Sequence, residues 1–162
     1  MINTRWASAD GNGGWRNHYR RMMRWSERTI KACSSDDKQS QSQVVDFALA
    51  FFVWCYSLRD WLKASEDFGE KEVAEFVSKQ RYWKHCRDIA LRSKHWDLSR
   101  PSIDADYGIS RRKVLYSEAL GSNQIQWIIW MDGDVLPLSS VVEDLTATWR
   151  SILEVRLLGT SE

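Results

Sequence analysis

Cysteine is scarce in this chain, and its placement excludes more than its number does. Cys33, Cys55 and Cys86 are odd in number, widely separated and never arranged as C-x-x-C. Neither a disulfide framework nor a zinc site fits that pattern, and reduced thiols in a cytoplasmic protein are expected. Proline is scarcer: Pro101 and Pro137 are the only two, and each is expected to end an element. Long apolar runs are missing as well. The longest uncharged stretch in the middle of the chain, Phe47 to Leu58, has twelve residues, short of the roughly 20 that a bilayer requires. It reads as a buried helix, and the N-terminal residues lack the apolar core of a signal peptide. No Gly-rich phosphate loop, G-x-S-x-G or H-E-x-x-H is present, so no familiar nucleotide or hydrolase site is indicated. Asp104-Ala-Asp-Tyr-Gly108 has its glycine one position early for a calcium loop and no bidentate Glu follows. Neither cofactor nor metal is expected.

Tryptophan, by contrast, is abundant. The 10 residues at positions 6, 15, 25, 54, 61, 83, 96, 127, 130 and 149 place at least one on every candidate helix and two on the strand 124–131. Each brings a large apolar area and an N–H that needs a partner when buried, so core duty comes first and interface duty second. Net charge is only +1, but it is distributed in blocks. Residues 1–33 carry +5, 34–80 carry −4, 81–113 carry +5 and 114–162 carry −5. Such blocks neutralise one another within a fold or between subunits, or leave a basic face for phosphate.

Hydropathy periods outline the elements. Residues 1–14 are small, polar and Gly-rich and read as a flexible arm, followed by one domain over 15–158. Trp15, Tyr19, Met22, Ser26, Ile30 and Cys33 recur at helical steps. Residues 34–41 read as a polar loop. From Ser42 to Lys63 two apolar faces, one through Val45, Ala48, Phe52, Cys55 and Leu62 and one through Phe47, Phe51, Trp54, Leu58 and Trp61, describe a helix at the middle of a bundle. A third helical region, with an interruption, runs from near Glu70 to about Trp96. Residues 102–113 read as a turn-rich loop, and Val114–Leu120 and Gln124–Met131 as strands. Asp132-Gly133 is a hairpin turn into Val135-Leu136. Ser140-Val-Val-Glu143 matches a capping box opening a last helix with Val142, Leu145, Trp149, Ile152 and Leu153 on one face. The expected fold is α+β and helix-dominated: a bundle around a central apolar helix, with a β-hairpin or meander at about 114–137 and a closing helix.

Two polar stripes carry candidate chemistry. Arg81, His85, Asp88, Arg92 and His95 step by four, three, four and three, which sets two imidazoles, two guanidiniums and a carboxylate on one helix face. Tyr82, Cys86, Ile89, Ser93 and Trp96 would pack inward behind them. In a metal-independent ribonuclease, an imidazole of such a set would deprotonate a 2′-hydroxyl while an arginine stabilised the phosphorane charge. Arg81, His85, Arg92 and His95 are the catalytic candidates. The same pattern also describes an ordinary solvated helix face with an Asp88–Arg92 pair. The second stripe, Arg16, Arg20, Arg24 and Arg28 at i, i+4 spacing, would follow a nucleic-acid backbone, with Trp25 and His18 nearby for stacking. It would equally suit pairing with the acidic block at 60–75 or with the acidic last helix.

Phe51-Phe-Val-Trp-Cys-Tyr-Ser-Leu-Arg-Asp-Trp-Leu-Lys63 and Cys86-Arg-Asp-Ile-Ala-Leu-Arg-Ser-Lys-His95 are similar to two motifs of a family of small bacterial helical proteins. Those motifs read F-F-x-x-C-Y/W-H-L-K-D-W-I/L and C-x-D-I-A-N-G-x-K-H. Ser57 stands where the family often has His, and Leu91-Arg92 where it has Asn-Gly. More distantly the chain resembles the HEPN ribonucleases and their inactive relatives. That likeness implies a helical, often dimeric architecture and an Arg–His pair four to six residues apart. Here three residues separate Arg81 from His85 and two separate Arg92 from His95, so the likeness implies architecture more than catalysis. The function expected is a non-enzymatic bacterial interaction or accessory module that self-associates, most simply as a dimer, with a protein partner or RNA as other partners and no membrane. A HEPN-like ribonuclease and a nucleic-acid-binding accessory subunit are the alternatives.

Overall fold

The computed structural model describes residues 14–94, 101–103, 106–115 and 123–158. Six helices and a three-stranded antiparallel sheet lie among them, an α+β fold dominated by helix. Helix α1 spans Gly14–Cys33. Its buried stripe, Trp15, Tyr19, Met22, Ser26, Thr29 and Ala32, starts where the periodicity places it. Late in the helix it moves to Thr29 and Ala32, leaving Ile30 and Cys33 half-buried, because steps of four overrun a 3.6-residue turn.

The polar segment after α1 is not wholly loop. A short helix α2, Lys38–Ser42, starts at Asp37, whose carboxylate accepts the Ser40 N–H at 2.8 Å, the usual N-cap bond. The central helix α3, Val44–Lys63, buries Val44, Ala48, Phe51, Phe52, Cys55, Leu58 and Leu62. It packs against α1 on one side and α5 on another, with α4 and α2 at its ends. Trp54, expected to be nearly buried, is partly buried and packs against the core cluster from its edge. The third helical region is two helices, α4 (Glu70–Ser78) and α5 (Trp83–Lys94), broken around a buried Gln80.

The sheet begins earlier than the sequence pattern indicates. Strand β1 runs Tyr107–Leu115, β2 Asn123–Met131 and β3 Asp134–Pro137, in the order β1-β2-β3. Residues 107–113 pair with 125–131, so tertiary pairing makes a strand of a segment whose Ser-Arg-Arg-Lys run looks like loop. The rest of the expected first strand, 116–120, lies outside the described residues. Asp132 and Gly133 close the β2–β3 hairpin with φ of 50° and 81°, the left-handed pair that such a two-residue turn requires. The last helix, α6, spans Leu138–Leu158. It starts directly after Pro137, so Ser140 lies inside its first turn rather than at its cap. Val142, Leu145, Trp149 and Leu153 are buried. Helix α6 packs on α1 and reaches β2 and β3, and a buried hydroxyl pair, Ser26 and Thr146 at 3.1 Å, joins α6 to α1.

The two motif stretches meet in this core. Phe51, Phe52, Cys55, Leu58 and Leu62 of α3 are buried, as are Cys86, Ile89 and Ala90 of α5. The Cys86 thiol donates to the Phe52 carbonyl oxygen at 3.6 Å. Burial, reinforced by neighbouring Cys55, pushes the Cys86 thiol well up, and burial raises Cys33 to about 11. These thiols lack the thiolate character that drives oxidation or metal binding at neutral pH. Among the described residues no helix is long and apolar enough to cross a membrane, and no His/Cys/Asp/Glu cluster could hold a metal ion.

Candidate functional site

The stripe on α5 is not one solvated face. Asp88 is completely buried. Its carboxylate accepts the backbone N–H of Ser102 at 2.8 Å and of Ile103 at 2.6 Å, and a 2.8 Å bond from Arg87. Arg87 also donates to the Ser102 hydroxyl at 2.9 Å. A buried carboxylate persists only with such partners; here it pins the segment entering β1 onto α5. His85 is half-buried beside Tyr82, ring centroids 5.6 Å apart, with its Nδ1 unpartnered among the described residues. Burial lowers its pKa, opposed by the charges of Asp134 and Asp88. Arg81 is exposed over the Tyr82 ring at 5.0 Å. Arg92 is half-buried close enough to Tyr107 to counter the rise that burial gives its phenol. His95 lies outside the described residues, as does Trp96. Ser93, expected to face inward, is exposed, since α5 leans on α3 through Cys86, Ile89 and Ala90 instead.

The arginine stripe on α1 divides. Arg16 donates to Asp67 at 2.9 Å, and the same carboxylate accepts the Trp15 indole N–H at 2.6 Å. The indole bond first, and Arg16 next among the favourable contacts, hold the Asp67 carboxyl below the usual range. Arg20, Arg24 and Arg28 are exposed; Arg20 donates to Asn17 at 3.2 Å and Arg28 lies 4.7 Å from the Trp25 ring centre. His18 does not join them. It is 2% exposed, wedged between Trp54 and Trp61 with centroids 4.6 and 5.0 Å away. Its Nε2–H donates to the Trp54 carbonyl at 2.9 Å, leaving Nδ1 buried and unpartnered among the described residues. It is core, and unavailable for stacking on a base.

What the sequence reading did not find is the outer face of the sheet. On β2, Trp127, Ile129 and Met131 point into the core, and Trp130 points away from it, 45% exposed. Its cross-strand neighbours are Gly108 on β1 and Val135 on β3, the latter 46% exposed. A Cβ at Gly108 would overlap the Trp130 indole, so the ring lies across the glycine. Ile128 and Pro137 are the next cross-strand pair on this face. Exposed Asp106 and Asp132 stand at the turn end of the patch and exposed Arg112 toward the opposite end of β1, whereas Arg111, opposite Trp127, and Asp134, opposite Met131, belong to the other face. Strict alternation would have revealed the face from sequence, but Gln126-Trp-Ile-Ile-Trp-Met131 is apolar on both sides.

No family model, curated protein or solved structure matches this chain.

Proposed function

We propose that the chain is a non-enzymatic interaction module that self-associates, two copies docking through the outer faces of their sheets. The observation that carries this reading is the Trp130–Val135 pair, two large apolar side chains left nearly half exposed and adjacent in the register. A tryptophan lying flat over a glycine is the kind of rigid aromatic anchor on which interfaces concentrate their energy. The ends of the patch favour a second copy as occupant. A twofold axis in the plane of the patch and perpendicular to the strands reverses β1 on its partner. The acidic end, with Asp106 and Asp132, then faces the basic end at Arg112. Such an isologous contact is self-complementary. The apolar side chains alone fall short of the roughly 800 Å² per partner of a standard interface, so the charged ends contribute and association depends on protein and salt concentration. On α5 the complete engagement of Asp88 by the loop favours a structural role for the stripe over acid–base chemistry.

Sedimentation velocity over the micromolar range tests this. The wild-type chain is expected to show a concentration-dependent shift to dimer, and Trp130→Glu to remain monomeric with an unchanged circular dichroism spectrum. Asp106→Lys should weaken the dimer, and adding Arg112→Glu should restore it by swapping the facing charges. A wild-type chain that stays monomeric throughout the range sinks the reading. Purified protein is further expected to leave RNA intact in EDTA. Cleavage lost in His85→Ala would reassign the α5 stripe to catalysis.

A further inference from the structure

Two basic segments far apart in the chain are brought to one surface. On α1, Arg20, Arg24, Arg28 and Lys31 are exposed. At the end of that helix a depression of about 340 Å³ is lined by Arg28, Lys31, Ser34, Ser35 and Ser40, with Phe47 at its apolar side. Gln41 ties its rim to the sheet: its Nε2 donates to the Ser35 carbonyl at 3.0 Å and its Oε1 accepts from Arg111 of β1 at 2.7 Å. The arginines therefore continue from α1 across the depression to β1.

We infer that this Arg20–Arg24–Arg28–Lys31–Arg111 track binds the backbone of a single-stranded nucleic acid. The surface is independent of the Trp130 face. Three facts carry the inference. First, among the described residues no carboxylate lies within 4.0 Å of any of these five cations, whereas Arg16, Arg59, Arg87, Arg150 and Arg156 each have one. The protein neutralises these five other arginines and leaves this line open. Second, steps of four residues set successive guanidiniums about 6 Å apart along the helix, the same order as successive phosphates of an extended strand. Third, Arg28 and Arg111 are laid over Trp25 and Trp127, 4.7 and 5.8 Å from the ring centres. A guanidinium held against an indole presents its other side to solvent, where an unstacked base can lie on it. Duplex offers no such bases, and so single strands are favoured. The nearby acids are Glu27 on α1, and Asp36 and Asp37 beyond it. Asp37 is turned to its capping bonds with Ser40.

Fluorescence anisotropy with a labelled oligouridylate, titrated at several salt concentrations, is the test. Binding is expected, falling with salt by a slope of about −0.7 in log K per phosphate neutralised. Arg24→Ala/Arg28→Ala should weaken binding and flatten the slope by about 1.4. Arg111→Gln, on the other segment of the track, should flatten it by about 0.7. Lys79→Ala, an exposed cation at the end of α4, should change neither quantity. Trp130→Glu should bind as wild type does, so failure of the dimer and failure of the track are distinguishable. No binding at low salt overturns the inference. So does equal weakening by Lys79→Ala, which would mark diffuse attraction, or equal affinity for a blunt duplex, which would remove the stacking component.

Discussion

Phe52→Ala is expected to lower the stability of this protein by about 3–5 kcal/mol. The ring is fully buried in α3 and meets Phe51 edge-on at 5.3 Å between centroids. The backbone at the same residue accepts the Cys86 thiol of α5, so the surroundings are held on two sides and cannot collapse into the space. The cost is then the lost transfer energy plus that of the cavity. Against a total of about 5–15 kcal/mol for a typical domain, this removes a large share, and a fall in melting temperature of roughly 10 °C follows at this chain length. Trp54→Ala should cost less despite the larger side chain, because Trp54 is only partly buried and already meets water. Val155→Ala, at 71% exposure, should stay within about 0.5 kcal/mol. Thermal melts of the three variants are the check. Equal melting of Phe52→Ala and wild type would remove α3 from the centre of the core.

Acidification should destabilise the protein through His18. Burial lowers its pKa from 6.5 to about 4; the bond to the Trp54 carbonyl works the other way, Arg21 adds to the lowering, and Asp60 opposes it. A folded-state value below the unfolded one means that the unfolded chain binds more protons between the two. Stability from this group is therefore fully present above pH 6.5, declines as pH falls, and is lost by about pH 4. The interval corresponds to about 3 kcal/mol. Carboxylates such as Asp67, held low by Trp15 and Arg16, lose their contribution only further down, so the upper part of the acid slope belongs to the histidines, His18 first and His85, also lowered by burial, beside it. Urea unfolding at a series of pH values, compared with His18→Phe, isolates it: the variant should lose most of the slope between pH 6.5 and 4, keeping the share that His85 contributes. An NMR titration placing His18 near its ordinary value in the folded protein would refute the assignment.

Residue spacing alone gives most of the helices and the side on which their apolar faces lie. Trp15, Tyr19 and Met22 face the core because they recur at helical steps, and the α3 segment is central because it is apolar on most sides. The Asp132-Gly133 turn was legible for a different reason, since few residue pairs tolerate two left-handed positions in succession. The remaining features depend on which surfaces meet. Residues 107–113 are a strand because 125–131 supplies the pairing, and no local preference in Ser-Arg-Arg-Lys announces that. Asp88 looks like one member of a polar stripe until the backbone of Ser102 and Ile103 arrives over it, and His18 looks like a surface base until Trp54 and Trp61 close around it. The four arginines on α1 share one spacing, yet Asp67 reaches Arg16, while Gln41 and Arg111 extend the exposed face through a distant strand. Periodicity records which side of an element is apolar; burial, pairing and charge compensation are set by the neighbour that packs there, often many residues away.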